Sequence, residues 1–373
     1  MINTYIPYFK KEDNNILSQC LKKNFVSTVG PLVKKFENSF SKKYNFKYSV
    51  ALNSGTSALH VGLKALGIKK GDTVILPSYT FAATANAIIY NNANPWFFDC
   101  DKNFDLPINK MEKIILKETR FSKRNLILKK TKSIVRAIVV VSTFGKKLDF
   151  KNLFKFSKKY NLKILFDTAA CHDPKIFQFS KDSNMNFCFS FNGNKTLTTG
   201  AGGMFSSNSK SIITKVRTLA NVGKKMKKYD YEIVGYNYKM TNLQAALGLT
   251  QLRILNHIIK LKKKIFLNYK KKLAHLKNIS IINDDKYTNW MFAIVVKSFK
   301  NFKIVQNCFN KSGIQMDLFW KPLHIQSPYK NFKTTNLKYT NSIWNKVIVL
   351  PSHPAVKLTQ QSKIINILLK NIK

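Results

Sequence analysis

Lys195 follows a short alternating run, Phe187, Phe189 and Phe191 interleaved with Cys188 and Ser190, and precedes a cluster of small residues ending in Gly200, Gly202 and Gly203. A strand with that alternation breaks at Asn192, Gly193 and Asn194 and presents the lysine on a turn beside backbone thin enough for a ligand to approach. An amine held there suits Schiff-base chemistry, because partial burial lowers an ammonium pKa toward neutrality. Three further features belong with it. Asp167 ends the apolar run Leu162–Phe166. Gly55, Thr56 and Ser57 lie between a strand (48–52) and a helix (58–66), where free backbone N–H groups and hydroxyls suit an anion. Phe81 stands at another strand-to-helix junction, where its ring could lie over a planar cofactor.

The elements that must position these groups follow from periodicity. Helices are expected over 12–45, interrupted by a loop at 25–31, then over 82–90, 108–130, about 149–160 and from 211. Short apolar strands are expected near 48–52, 72–76, 95–99, 134–141, 162–166 and 187–191. Alternation of this kind predicts an α/β fold with a mainly parallel sheet and helices on both faces. Ligands of such sheets bind outside the carboxyl ends of the strands, and 54–57, 81, 167 and 195 all fall at those ends. A long helix is expected from 243 to about 276, with Lys262–Lys264 and Lys270–Lys272 facing water. Beyond it, strands near 279–282, 290–296 and 314–319, a helix after 302 and a closing helix from about 359 read as a smaller α+β domain. The expected division is a large ligand-binding domain over 1–250 and a smaller domain over 251–373. The loop 321–325 brings His324 within reach of the site.

Composition narrows the function class. The chain has 373 residues, 45% hydrophobic and 13% aromatic, which fits a globular protein. Its five cysteines are scattered without a Cys-x-x-Cys pair, which argues against a disulfide framework and a zinc site. A formal charge of +46 invites a nucleic-acid reading, but lysines recur along every expected helix instead of gathering in one patch. A diffuse positive field would still speed the arrival of a small anionic substrate. No apolar stretch has the length of a signal peptide core or a membrane span, so a cytoplasmic location is expected.

Four motifs carry a family resemblance. They are Ser-Phe-Asn-Gly-Asn-Lys-x-x-Thr-Thr-Gly-x-Gly-Gly (190–203), Asn-Ser-Gly-Thr-x-Ala-Leu-His (53–60), Pro-Ser-x-Thr-Phe-x-Ala-Thr-x-Asn-Ala (77–87) and Gly-Tyr-Asn-Tyr-x-Met-x-Asn-x-Gln-Ala-Ala-Leu-Gly (235–248). In this order and spacing the chain resembles the DegT/DnrJ/EryC1/StrS sugar aminotransferases, which use pyridoxal 5′-phosphate (PLP) on a type I, aspartate aminotransferase-like fold. It is most similar to the branch acting at C4 of UDP-linked 4-keto-6-deoxy sugars.

The resemblance implies Lys195 as the residue bonded to PLP and as the proton shuttle, with Asp167 paired to the pyridine nitrogen. It implies Gly55, Thr56, Ser57 and Ser190 as phosphate donors, Phe81 stacked on the ring, and Asn237 reaching the phosphate of a neighbouring subunit in a homodimer. His324 is a further candidate for touching the nucleotide sugar. The implied activity is transfer of an amino group from L-glutamate to a nucleotide-linked 4-keto-6-deoxy sugar, for surface polysaccharide. Two alternatives stand beside it. One is a deoxysugar dehydratase, although related dehydratases carry histidine where this chain has Lys195. The other is a basic nucleic-acid-binding protein without enzymatic activity. The sequence departs from the family pattern at Ala170, where a polar residue is usual, and over 171–186, which lacks a glycine-rich connection.

Overall fold

The computed structural model describes residues 1–372 apart from 179–184, 225–228, 283–285 and 317. Two helices, α1 (Lys11–Lys22) and α2 (Leu32–Tyr44), lead into β1 (Tyr48–Leu52). Strand–helix alternation then runs α3 (Gly55–Ala65), β2 (Thr73–Pro77), α4 (Ala82–Ile89), β3 (Asn94–Phe98) and α5 (Ile108–Glu118). After a hairpin of β4 (Thr119–Ser122) and β5 (Asn125–Leu128) come β6 (Ile134–Val141), α6 (Phe150–Lys159), β7 (Lys163–Asp167), β8 (Asn186–Ser190), β9 (Gly203–Ser207) and α7 (Lys210–Ala220).

These strands form a sheet in the order β1-β9-β8-β7-β6-β2-β3, parallel from β8 through β3, with β9 antiparallel to both β8 and β1. Strand alternation explains the two layers that cover it. Ile164, Phe166, Phe187 and Phe189 face one side, with Phe36 and Phe40 of α2. Leu165, Cys188 and Phe205 face the other, with α3, α4 and α7. Gly62 lets α3 lie close on that face, since a Cβ there would sit 2.7 Å from the Phe205 ring.

The rest of the chain is α8 (Asn242–Leu273), β10 (Ile279–Ile282), β11 (Phe292–Val296), α9 (Phe299–Lys311), β12 (Lys333–Thr334), α10 (Lys338–Ile343), β13 (Val347–Leu350) and α11 (Leu358–Asn371). A Thr241/Gln244 capping box starts α8. Strands β10, β11 and β13 make a second, antiparallel sheet with its own core. Strand β12 returns to the large sheet beside β3, and Ile2 pairs with Ile314.

Three local expectations are corrected. The helix expected over 108–130 stops at Glu118, because Leu126 and Leu128 alternate into the core while β5 pairs with the edge of β6. The third strand of the small sheet is β13, not 314–319: of the described residues there, Ile314 makes a single bridge, and Leu318–Trp320 line a cavity instead. Lys262 does not face water. It is buried, and its Nζ donates to the carbonyls of Trp290 (2.9 Å) and Ser352 (2.8 Å).

Candidate active site

A cavity of about 430 Å³ opens at the carboxyl ends of β6, β7 and β8. Its floor is built by three local devices. At the start of α3, Ser54 caps the helix by accepting from Ser57 N at 3.0 Å, which leaves Gly55 and Thr56 on the cavity wall. Ser190 at the end of β8 stands against this turn, and a Cβ on Gly55 would lie 2.7 Å from the Ser190 Cβ. The helix start, the Thr56 and Ser54 hydroxyls and Ser190 together make a donor-rich corner suited to a phosphate.

Asp167, at the end of β7, is buried and points into the same space. Thr84 of α4 donates to its Oδ2 at 2.7 Å, and the Ala169 N–H donates to Oδ1 at 3.1 Å. Burial raises the Asp167 pKa, while those two hydrogen bonds and the charge of Lys195 oppose the rise. Among the described residues it has no salt-bridge partner.

Lys195 sits on the turn after β8, its N–H bonded to Asn192 O at 2.9 Å. The residue is only half-buried, but its amine end is enclosed. Nζ lies 3.5 Å from the centre of the Trp290 ring. Burial lowers its pKa from 10.5 to about 8, and the charge of Asp167 pulls the other way. Trp290 is fixed in turn by its indole N–H, which donates to Asn194 O at 2.7 Å. Tyr5, Phe319 and Trp320 extend the aromatic wall, and the Phe81 ring, 59% exposed, stands at the mouth 6.3 Å from Trp320.

The structure therefore brings Lys195, Asp167, Gly55, Thr56, Ser190 and Phe81 around one space. Ser57 is placed differently. Its hydroxyl is buried in the turn and donates to Asn53 Oδ1 at 2.6 Å, and Ser54 takes its place on the wall. Asn237 does not line the cavity of its own chain; it bridges to Asn221, and its carbonyl accepts from Asn53 Nδ2 at 3.3 Å. His324 also lies outside the lining. Its Nδ1 pairs with Ser78 Oγ at 2.6 Å and its Nε2 with Asn341 Oδ1 at 2.9 Å, while burial lowers its pKa. The departing segment 171–174 is anchored in the core, with Tyr44 Oη donating to His172 O and Thr288 N to Asp173 Oδ2; residues 179–184 lie outside the described residues.

Sequence reasoning did not assign Thr84, Trp290 or Tyr5. Thr84 lies in the motif over 77–87, three residues beyond Phe81, and that spacing puts both on the cavity end of α4. Trp290 and Tyr5 come from segments remote in sequence and carry no local signal.

PLP fits this donor set. Its phosphate matches the corner at Gly55, Thr56 and Ser190. A protonated ring nitrogen would supply the positive partner that the buried Asp167 lacks, and the aldehyde needs an amine such as Lys195 Nζ.

Comparison with known proteins agrees. GDP-perosamine synthase of Escherichia coli O157:H7 is 30% identical over 96% of this chain and 95% of its own length. GDP-perosamine synthase of Caulobacter vibrioides is 29% identical over 98% and 96%. The fold matches that of a DegT DnrJ EryC1 StrS aminotransferase from Brucella abortus with a TM-score of 0.87 at 23% identity, covering 97% and 95% of the two chains. The family pattern spans residues 7–369, and the chain belongs to the DegT/DnrJ/EryC1/StrS aminotransferase family, whose members are PLP-dependent sugar aminotransferases.

Proposed function

We propose that this enzyme transfers the amino group of L-glutamate to the keto carbon of a nucleotide-linked 4-keto-6-deoxy sugar, in the cytoplasm, for a surface polysaccharide. The observation that carries the reading is the Lys195–Asp167 pair, with the free end of α3 beside it in one cavity. The similarity to two GDP-perosamine synthases supports a nucleotide-sugar substrate.

When bound, PLP would supply the electron sink and the aldehyde carbon that carries the amino group from donor to acceptor. The chain's own residues do the rest. Gly55, Thr56, Ser54 and Ser190 would hold the phosphate, and Asp167, kept in place by Thr84 and Ala169, would orient the ring and hold a proton on its nitrogen. Phe81 would cover one face. With its pKa near 8, Lys195 Nζ is substantially unprotonated at mildly alkaline pH, so it can take a proton from Cα of the amino donor and return one later. The wall of Tyr5, Trp290 and Trp320 excludes water and gives a sugar ring flat apolar surfaces.

Asn237 does not line the cavity of its own chain, which fits a homodimer in which it serves the neighbouring site. Val29 and Val234, 70% and 91% exposed, stand in the segments flanking the start of α8 and fit burial by a second copy.

The test is a panel of GDP-, UDP- and dTDP-linked 4-keto-6-deoxy sugars incubated with PLP-loaded enzyme and L-glutamate. The expected result is release of 2-oxoglutarate matched by one amino sugar. Sugar dehydration without 2-oxoglutarate would overturn the reading.

A further inference from the structure

We propose that Lys262 is a positioning residue for the active site: its Nζ holds the main chain of Trp290 against that of Ser352 and so fixes the indole that covers the Lys195 amine. Lys262 lies in the middle of α8, 3% exposed, where a lysine is costly unless its charge and donors are used. No Asp or Glu among the described residues pairs with it. Its two hydrogen bonds both go to carbonyls, one on each side of the junction between the Trp290 segment and the loop after β13. A hydrophobic residue here would leave both carbonyls buried without these donors.

Trp290 is the element being held. Its main-chain N–H donates to Phe144 O at 2.8 Å, its carbonyl accepts from Lys262, and its indole N–H donates to Asn194 O, the residue before Lys195. Tyr5 stacks on the ring at 6.0 Å. The chain of contacts therefore runs from Lys262 through Trp290 to both the backbone and the amine of Lys195. A second cavity of about 20 Å³, room for one water, touches Lys195, Lys262, Trp290 and His353 and marks where solvent would enter if the indole moved. Burial also brings the Lys262 pKa down to about 7.

The inference rests on Lys195 being the reacting amine, and its test reads that amine without cofactor or turnover. Full-length cofactor-free protein is acetylated with limiting acetic anhydride across a pH series, and labelling of Lys195 is quantified by mass spectrometry to give its titration midpoint. The titratable groups around Lys195 are Asp167 on β7, His172 beyond it, Tyr5 and Tyr8 from the N-terminal segment, and Lys262 with His353 behind Trp290, so a direct charge effect of Lys262 must be separated from one exerted through the indole. Four proteins do so: native, Lys262→Met, Trp290→Phe and the double variant. Both single variants are expected to raise the midpoint by about half a pH unit or more, as the amine becomes wetter. The double variant should shift no further than Trp290→Phe alone. An unchanged midpoint in Lys262→Met, or shifts that simply add in the double variant, would overturn the proposal. If Lys262→Met does not fold, Lys262→Gln, which keeps a donor for one carbonyl, replaces it in the single and double variants with a smaller shift of the same sign. Failure here leaves Lys195 as the reacting amine, whereas labelling of a different lysine by PLP removes that premise.

Discussion

The hydroxyl of Thr84 donates to Oδ2 of Asp167 at 2.7 Å, so a helix on one face of the sheet holds the carboxylate at the end of β7. A buried carboxylate that loses one of its two donors loses part of its hold on charge and orientation. Thr84→Val keeps the shape and removes the donor. It should weaken PLP retention by about 1–3 kcal/mol, roughly 5- to 150-fold, with the fold intact. Equilibrium dialysis followed by the cofactor absorbance measures this, and unchanged retention would remove Thr84 from the site.

A Cβ on Gly55 would lie 2.7 Å from the Ser190 Cβ, so Gly55→Ala must push the start of α3 away from the end of β8. Overpacking of this sort costs roughly 1–3 kcal/mol. The loss should appear in PLP affinity and in thermal stability together. Pyridoxal, which lacks the phosphate, should bind native and variant protein with much closer affinities.

Protonation of Lys195 gives a prediction about stability. The folded chain releases this proton near pH 8 and the unfolded chain near 10.5. Between those values the unfolded state binds more protons, so the group's contribution to stability rises with pH and the penalty is largest below pH 8. Cofactor-free native protein should therefore gain roughly 1 kcal/mol from pH 7 to pH 9 relative to Lys195→Met, by urea denaturation. A difference that shrinks or reverses over that interval would mean the amine is not desolvated.

Much of this arrangement is legible in the chain because it is local. Alternation of Phe187, Phe189 and Phe191 places a strand, the turn before the helix expected at 58–66 marks a helix start that the structure sets three residues earlier at Gly55, and the ends of parallel strands converge by topology. What the sequence hides is tertiary. Trp290 reaches Lys195 across 95 positions of chain, and Lys262 looks like its solvated neighbours Lys263 and Lys264 until the partner carbonyls of Trp290 and Ser352 are known. The hairpin at β4 and β5 is hidden because the basic residues spread over 108–130 suit a helix, while the only strand signal is the short alternation of Leu126 and Leu128 into the core. The two ring nitrogens of His324, expected within reach of the site, pair with Ser78 and Asn341, contacts that its own loop gives no sign of.

One amine among the chain's many lysines, that of Lys195, is expected to form the bond to PLP. Purified protein loaded with PLP is reduced with sodium borohydride, digested and mapped by mass spectrometry. The expected result is a phosphopyridoxyl group on Lys195, none on Lys262, and loss of that adduct in Lys195→Ala. A stoichiometric adduct on any other lysine, with Lys195 unmodified, would contradict it.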